Sequence, residues 1–192
     1  MIPEGEADIT VITKSDNVEK LLGVHKDIIG DDFIGYRGHI YRVLTYAMYF
    51  LEGDQTHRHV IEAALVYHDI GLWTDSVLNY LDPSYEQAEK YLSSTLTKDE
   101  LALVKDIIVF HHKITEFDGP NKDIVEAVRK GDWIDATQGI VSHGMTKANI
   151  AEVYSQIPAA GFYDTLAGFG PKFHGYNVPA MIREISKIYY WQ

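Results

Sequence analysis

The chain has no cysteine, which excludes disulfides, thiolate zinc sites and cysteine nucleophiles. Any metal must sit on His, Asp and Glu, a donor set that suits Mn, Fe, Co, Ni, Mg or Zn. Positive charge is scarce: 17 Lys and Arg stand against 28 Asp and Glu, a formal net charge of −11. A nucleic-acid polymer needs a basic surface, so no such partner is expected. A small phosphorylated substrate stays open, because a metal and a few local cations can reverse the field inside one cleft. No run approaches the roughly 18 apolar residues of a membrane span, so no membrane partner is expected. The opening residues, MIPEGEADITVITK, are acidic and lack a basic-then-apolar signal pattern, which makes cytoplasm the expected location. Strand signals are sparse; the β-branched stretch Ile9 to Thr13 reads as a short extended arm.

What is present is helical periodicity. The 192 residues, 46% of them hydrophobic, suit one domain with a full core. Residues 36–52 carry Ile40, Val43, Leu44, Tyr46, Ala47 and Phe50 at helical spacing, and Gly53 closes the run. Residues 55–68 do the same with Ile61, Ala64, Leu65 and His68. Ser84 with Gln87 reads as a capping box opening a helix over 84–94, and Thr97 with Glu100 as a cleaner one opening 98–113. Residues 121–137 set Ile124, Val128 and Asp132 four apart. A last helix begins near Asn177 with Pro179 in its first turn. The stretch 156–177 is rich in Gly, Pro and aromatics, and reads as an irregular flap with at most one helical turn over 161–167. The expectation is an all-α, single-domain bundle over 1–192, with a core at 36–137 and a C-terminal flap and helix at 142–192. A homo-oligomer is compatible with this.

Polar residues stand on the faces that should be buried. His39 lies near the start of the first core helix. His68 ends the second, with Asp69 next. His111 and His112 extend the Ile108 stripe. Asp132 extends the stripe of Ile124 and Val128, with Asp135 nearby on the same helix as the rival inward carboxylate. Burying such groups without partners costs several kcal/mol each. A divalent cation satisfies imidazole nitrogens and carboxylate oxygens together.

This order, His39, then the adjacent His68 and Asp69, then a distant Asp132, resembles the HD-domain metal-dependent phosphohydrolase superfamily over about residues 36–137. The resemblance implies a helical bundle in which His39, His68, Asp69 and Asp132 ligate a metal. Asp69 bridges a second ion where two are bound, and His111 and His112 stand where further ligands come. The sequence departs from the cyclic-dinucleotide branch, since no Glu follows its His pair. Leu72 stands where some nucleotidase relatives carry Glu, so proton transfer falls to Asp69 or to Asp75, the nearest downstream carboxylate.

Two imidazoles and two carboxylates leave open positions for water and a substrate oxygen. Arg37, Arg42 and Lys113 are the nearest cations in sequence for phosphate oxygens, and Arg42 is also a candidate for the catalytic step. The leading reading is hydrolysis of a phosphate ester on a small molecule, such as a nucleotide, with one or two ions. A di-iron oxygenase on the same scaffold and a non-catalytic nucleotide or metabolite sensor are the alternatives. His25, His57, His59, His143 and His174 read as surface or packing residues, and Tyr36, Tyr46 and Tyr163 as candidates to line the cleft.

Overall fold

A computed structural model describes residues 6–189, and among these every regular element is a helix. The α-helices are α1 (Asp16–Gly23), α2 (Lys26–Ile29), α3 (Phe33–Phe50), α4 (Arg58–Tyr67), α5 (Gly71–Thr74) and α6 (Leu81–Leu92), then α7 (Lys98–Phe110), α8 (Lys122–Ala136), α9 (Lys147–Gln156), α10 (Phe162–His174) and α11 (Val178–Ile188). None is long and apolar enough to cross a membrane.

The third helix is the axis of the molecule. From Gly35 to Met48 every residue but Arg37 is buried, the signature of a helix packed on all sides. Its most extensive partner is α8, while α4 packs on α7 and α1, and α6 on α7. Tyr36, Ile40 and Leu44 meet Ile61 and Leu65, Val104 and Ile108, and Val128 in one apolar cluster. A smaller cluster, including Ile9, Ile134, Met145 and Val153, lies under the N-terminal arm and α9. That arm is neither helix nor strand. Its amides are held by side chains: Asp8 by Asn149 at 2.9 Å, Ile12 by Thr45 at 3.0 Å, Ser15 by Tyr41 at 2.9 Å.

Side-chain caps open four of the helices, α1, α7, α9 and α11. Thr97 and Glu100 form the expected reciprocal box on α7, and Asn177 caps α11 with Pro179 in the first turn. Ser84 corrects the expectation. The helix opens earlier, at Leu81, and the buried Ser84 hydroxyl accepts the Gly71 amide at 3.0 Å instead. Pro83 sits in the first turn, where no intrahelical donor is needed. The helices α1 and α9, opened by Ser15 and Thr146, were not expected from periodicity.

The larger correction concerns 156–177. Residues 162–174 form a continuous helix, α10, despite two glycines and an internal proline. Phe162, Leu166, Phe169 and Phe173 recur at helical spacing and pack on the main cluster. Phe169 meets Trp73 edge-on at 5.3 Å. Burial of that stripe outweighs the poor helix propensity of Gly168, Gly170 and Pro171.

Gly131 sets how closely α8 approaches α3. A Cβ there would lie 3.0 Å from the Val43 carbonyl oxygen and 3.2 Å from Tyr46 Cβ. Gly131→Val should therefore destabilise the fold by roughly 1–3 kcal/mol through overpacking, read from urea denaturation. An unchanged midpoint would show that the contact between α3 and α8 is looser than described.

Candidate metal centre

Four chain segments deliver the expected residues to one buried point. His39 projects from the middle of α3. His68 caps the C-terminus of α4, and Asp69 follows in the turn. His111 caps α7, with His112 next. Asp132 faces inward from α8, one residue after the close approach at Gly131. Of these, only His112 has partial exposure; the rest are buried.

The distances are short enough for the side chains to share one ion. His39 Nε2 lies 2.9 Å from His68 Nε2, 3.5 Å from Asp69 Oδ2 and 3.3 Å from Asp132 Oδ1. His68 Nε2 lies 3.3 Å from Asp69 Oδ2 and 3.7 Å from Asp132 Oδ1. Atoms bound to one ion at about 2.1 Å stand roughly 3.0–3.4 Å apart, in octahedral or tetrahedral geometry. The other carboxylate oxygens turn away from this group. Asp69 Oδ1 faces His111 Nε2 at 3.4 Å, and Asp132 Oδ2 faces His112 Nδ1 at 3.8 Å. Asp69 and Asp132 each turn one oxygen toward His39 and His68 and the other toward His111 and His112, giving two donor sets, and overlapping triads within the cluster could hold a metal ion.

Proton accounting strengthens this. The Nδ1 of His39 meets Asp135 Oδ2 at 2.6 Å, that of His68 the Leu65 carbonyl at 2.6 Å, and that of His111 the Ile108 carbonyl at 2.7 Å. Each acceptor calls for Nδ1–H, which leaves a lone pair on each Nε2. His39 and His68 then aim two lone pairs at each other, a repulsive arrangement unless a proton or a cation lies between them. Asp69 Oδ1, His111 Nε2 and Asp132 Oδ2 are buried with no hydrogen-bond partner. Orphaned ligand atoms of this kind fit a cation.

Left to the protein's own charges, the imidazoles must supply the positive charge. Burial opposes protonation of His39, but Asp132, Asp135 and Asp69 outweigh it and hold the ring well above the usual histidine range. His111 is raised in the same way, against burial, by Asp69 and Asp132. Burial also opposes ionising Asp69 and Asp132, yet the surrounding histidines keep both well below the usual carboxylate range. Burial, and His111 beside it, push His112 down to about 3.

Arg42 differs from its expected role. Its side chain is fully buried, with Nε 2.6 Å from Asp135 Oδ1 and Nη2 2.9 Å from Asp135 Oδ2. Nη1 donates to the Pro158 carbonyl at 3.0 Å. The guanidinium therefore braces the carboxylate that orients His39, and has no arm turned toward a substrate. Asp132 and Asp135 are both inward, rather than one or the other: three residues apart, they share a helix face. Arg37 pairs with Glu19 at 2.7 Å near the surface. Lys113 turns its amine to the Thr115 hydroxyl and the Glu116 carbonyl. Asp75 is exposed, its carboxylate accepting from Thr74 at 2.6 Å. None of these three joins the cluster.

Aromatic rings sheathe the centre, and periodicity did not single out most of them. Phe162 stacks on His39 at 4.2 Å between centroids, and Tyr36 on His68 at 6.0 Å. The Tyr36 hydroxyl donates to the Val66 carbonyl and accepts the Asp69 amide. Tyr154 donates to Asp135 at 2.8 Å, and Tyr163 to the Asp135 carbonyl at 3.1 Å. Tyr46 belongs to the second apolar cluster instead. A cavity of about 390 Å³ is lined by Ile114, Trp133, Tyr189 and residues of α11; none of the centre's donors lines it, and Tyr189 lies 5.3 Å from the His112 ring between centroids. A larger cavity of about 720 Å³, beside the N-terminal arm, shares no residue with it.

Two outcomes follow. Arg42→Met leaves the Asp135 carboxylate buried without its partner, and should cost about 3–5 kcal/mol in urea denaturation. Adding Asp135→Asn should restore part of that loss; a substrate-binding arginine would change KM and leave stability alone. The pH dependence has a defined sign. A raised His39 pKa contributes stability that is present below about pH 6.5 and lost as pH rises through the raised value. Metal binding instead needs neutral imidazole. The melting-temperature gap between metal-loaded and chelator-treated protein should therefore widen from about pH 6 to 8. A gap that narrows would exclude ligation by these rings.

Comparison of the chain with family models, with curated protein sequences and with solved structures returns no match.

Proposed function

We propose that the chain is a metal-dependent hydrolase of the HD type, a single domain that cleaves a phosphate ester on a small molecule. The observation that carries the reading is the set of orphaned buried ligand atoms, Asp69 Oδ1, His111 Nε2 and Asp132 Oδ2. These complete the donor pattern begun by His39 and His68. A divalent cation at such a site supplies Lewis acidity, lowering the pKa of water and polarising a phosphoryl oxygen.

Charge supports a phosphate ester even though Arg37, Arg42 and Lys113 are engaged elsewhere. Asp135 is neutralised by Arg42, so only Asp69 and Asp132 draw on the ions. Two divalent cations would leave a surplus of roughly two positive charges. That matches a phosphate monoester dianion without any cationic side chain. Asp69 and Asp132 each turn one oxygen to either donor set, and proton transfer from water is assigned to Asp69 by its place beside His68. The Phe162 and Tyr36 rings keep bulk water off its neighbours.

The donor set also suits two irons, since imidazole and carboxylate both accept that metal. Metal analysis separates the readings: two irons with dioxygen-dependent turnover would favour an oxygenase. For the hydrolase, a screen of nucleotides and sugar phosphates under Mn, Co, Mg and Zn should give metal-dependent phosphate release. His68→Ala and Asp69→Ala should lose bound metal and lower the rate roughly 100-fold or more. Full metal content in either variant would overturn the ligand assignment. Release of no phosphate by the metal-loaded protein would overturn the reaction.

A further inference from the structure

Tyr80 touches the cluster through a polar atom that has no part in the reading above. It precedes α6 and is buried. Its carbonyl accepts the Ser84 amide at 2.8 Å. The backbone beside it is fixed by close approach, because a Cβ on Gly71 would lie 2.7 Å from the Tyr80 carbonyl oxygen. The ring is therefore held, and its hydroxyl lies 2.5 Å from His112 Nε2.

That contact has two forms. If the hydroxyl donates to Nε2, the ring carries its proton on Nδ1, and Nδ1–H points toward Asp132 Oδ2 across 3.8 Å. That is too long for a hydrogen bond, and it would shut a cation out. If Nε2–H donates to the hydroxyl oxygen, Nδ1 offers a lone pair on the side of Asp132 Oδ2. His112 Nδ1 is the nitrogen on the side of Asp132 Oδ2, and a ligating imidazole is neutral, so a cation taken at Nδ1 leaves the ring's one proton on Nε2, where the Tyr80 oxygen is the acceptor within reach.

We propose that Tyr80 is a positioning residue that accepts the Nε2–H of His112 and so turns the ring's Nδ1 lone pair into a second metal site. Asp69 Oδ1, His111 Nε2 and Asp132 Oδ2 complete that site. The inference rests on the metal-centre reading and adds what selects the ligand atom of its least buried member. His112 then differs from the other three histidines. Those place Nδ1–H on protein acceptors and present Nε2, whereas His112 presents Nδ1.

The test uses the full chain. Nitrogen-15 NMR of the Zn²⁺-loaded wild type should show His112 protonated at Nε2 and coordinated at Nδ1; a proton on Nδ1 overturns the proposal without any variant. Titration with Mn²⁺ should give two ions per wild-type chain. Tyr80→Phe, which keeps the ring and removes the acceptor, should weaken the second ion by roughly 10- to 100-fold and leave the first unchanged. If the wild type takes one ion only, the two-ion centre fails and the role of Tyr80 fails with it. If the wild type takes two ions and Tyr80→Phe binds both with unchanged affinity, the centre stands and the proposal for Tyr80 is overturned.

Discussion

The structure depends on one electrostatic constraint: carboxylates and imidazoles buried together at the meeting point of helices need a shared positive charge. Asp69 and Asp132 are nearly inaccessible, and an isolated carboxylate in such surroundings is far from stable. Everything near the centre answers to that need. Three histidines commit their outer nitrogens to fixed acceptors, so their inner nitrogens point one way. The main chain contributes as much as side chains do. The carbonyls of Leu65 and Ile108, near the ends of α4 and α7, lie within three residues of the rings they hold, so the helix ends are themselves parts of the centre.

Around this core is a second layer that stiffens it. Asp135 receives two arms of Arg42 and the Tyr154 hydroxyl, and passes one oxygen to His39. The same arginine reaches the Pro158 carbonyl between α9 and α10, while Phe162 covers the His39 ring. The C-terminal third of the chain is thus tied to the ligand helices by polar and aromatic contacts, with only part of its attachment coming from apolar burial.

Much of this was legible in the sequence, for a specific reason. His39, His68, Asp69 and Asp132 stand on stripes whose other members are Val43, Leu65 and Val128, and a polar residue on an apolar stripe must be explained. The same logic found His111. It failed for Arg42, because proximity in sequence to His39 says which helix carries the cation but not that Asp135 absorbs it. It failed for Arg37 and Lys113 in the same way. Tyr80 was invisible, since 75–80 has no period to depart from. The helix α10 was hidden by composition: Gly168, Gly170 and Pro171 masked the spacing of Phe162, Leu166, Phe169 and Phe173. Propensity is local, whereas the burial that decided α10 comes from Trp73 and His39 far away in the chain.

The pairing of Arg42 with Asp135 has a wider consequence for how the centre meets acidity. A guanidinium keeps its charge across every condition in which a protein stays folded, so the carboxylate behind His39 remains ionised and the orientation of that ring is a constant. Arg42 therefore fixes where the His39 ring points on both sides of its own protonation step, so a change of pH alters the charge at the centre without releasing the ring from its place.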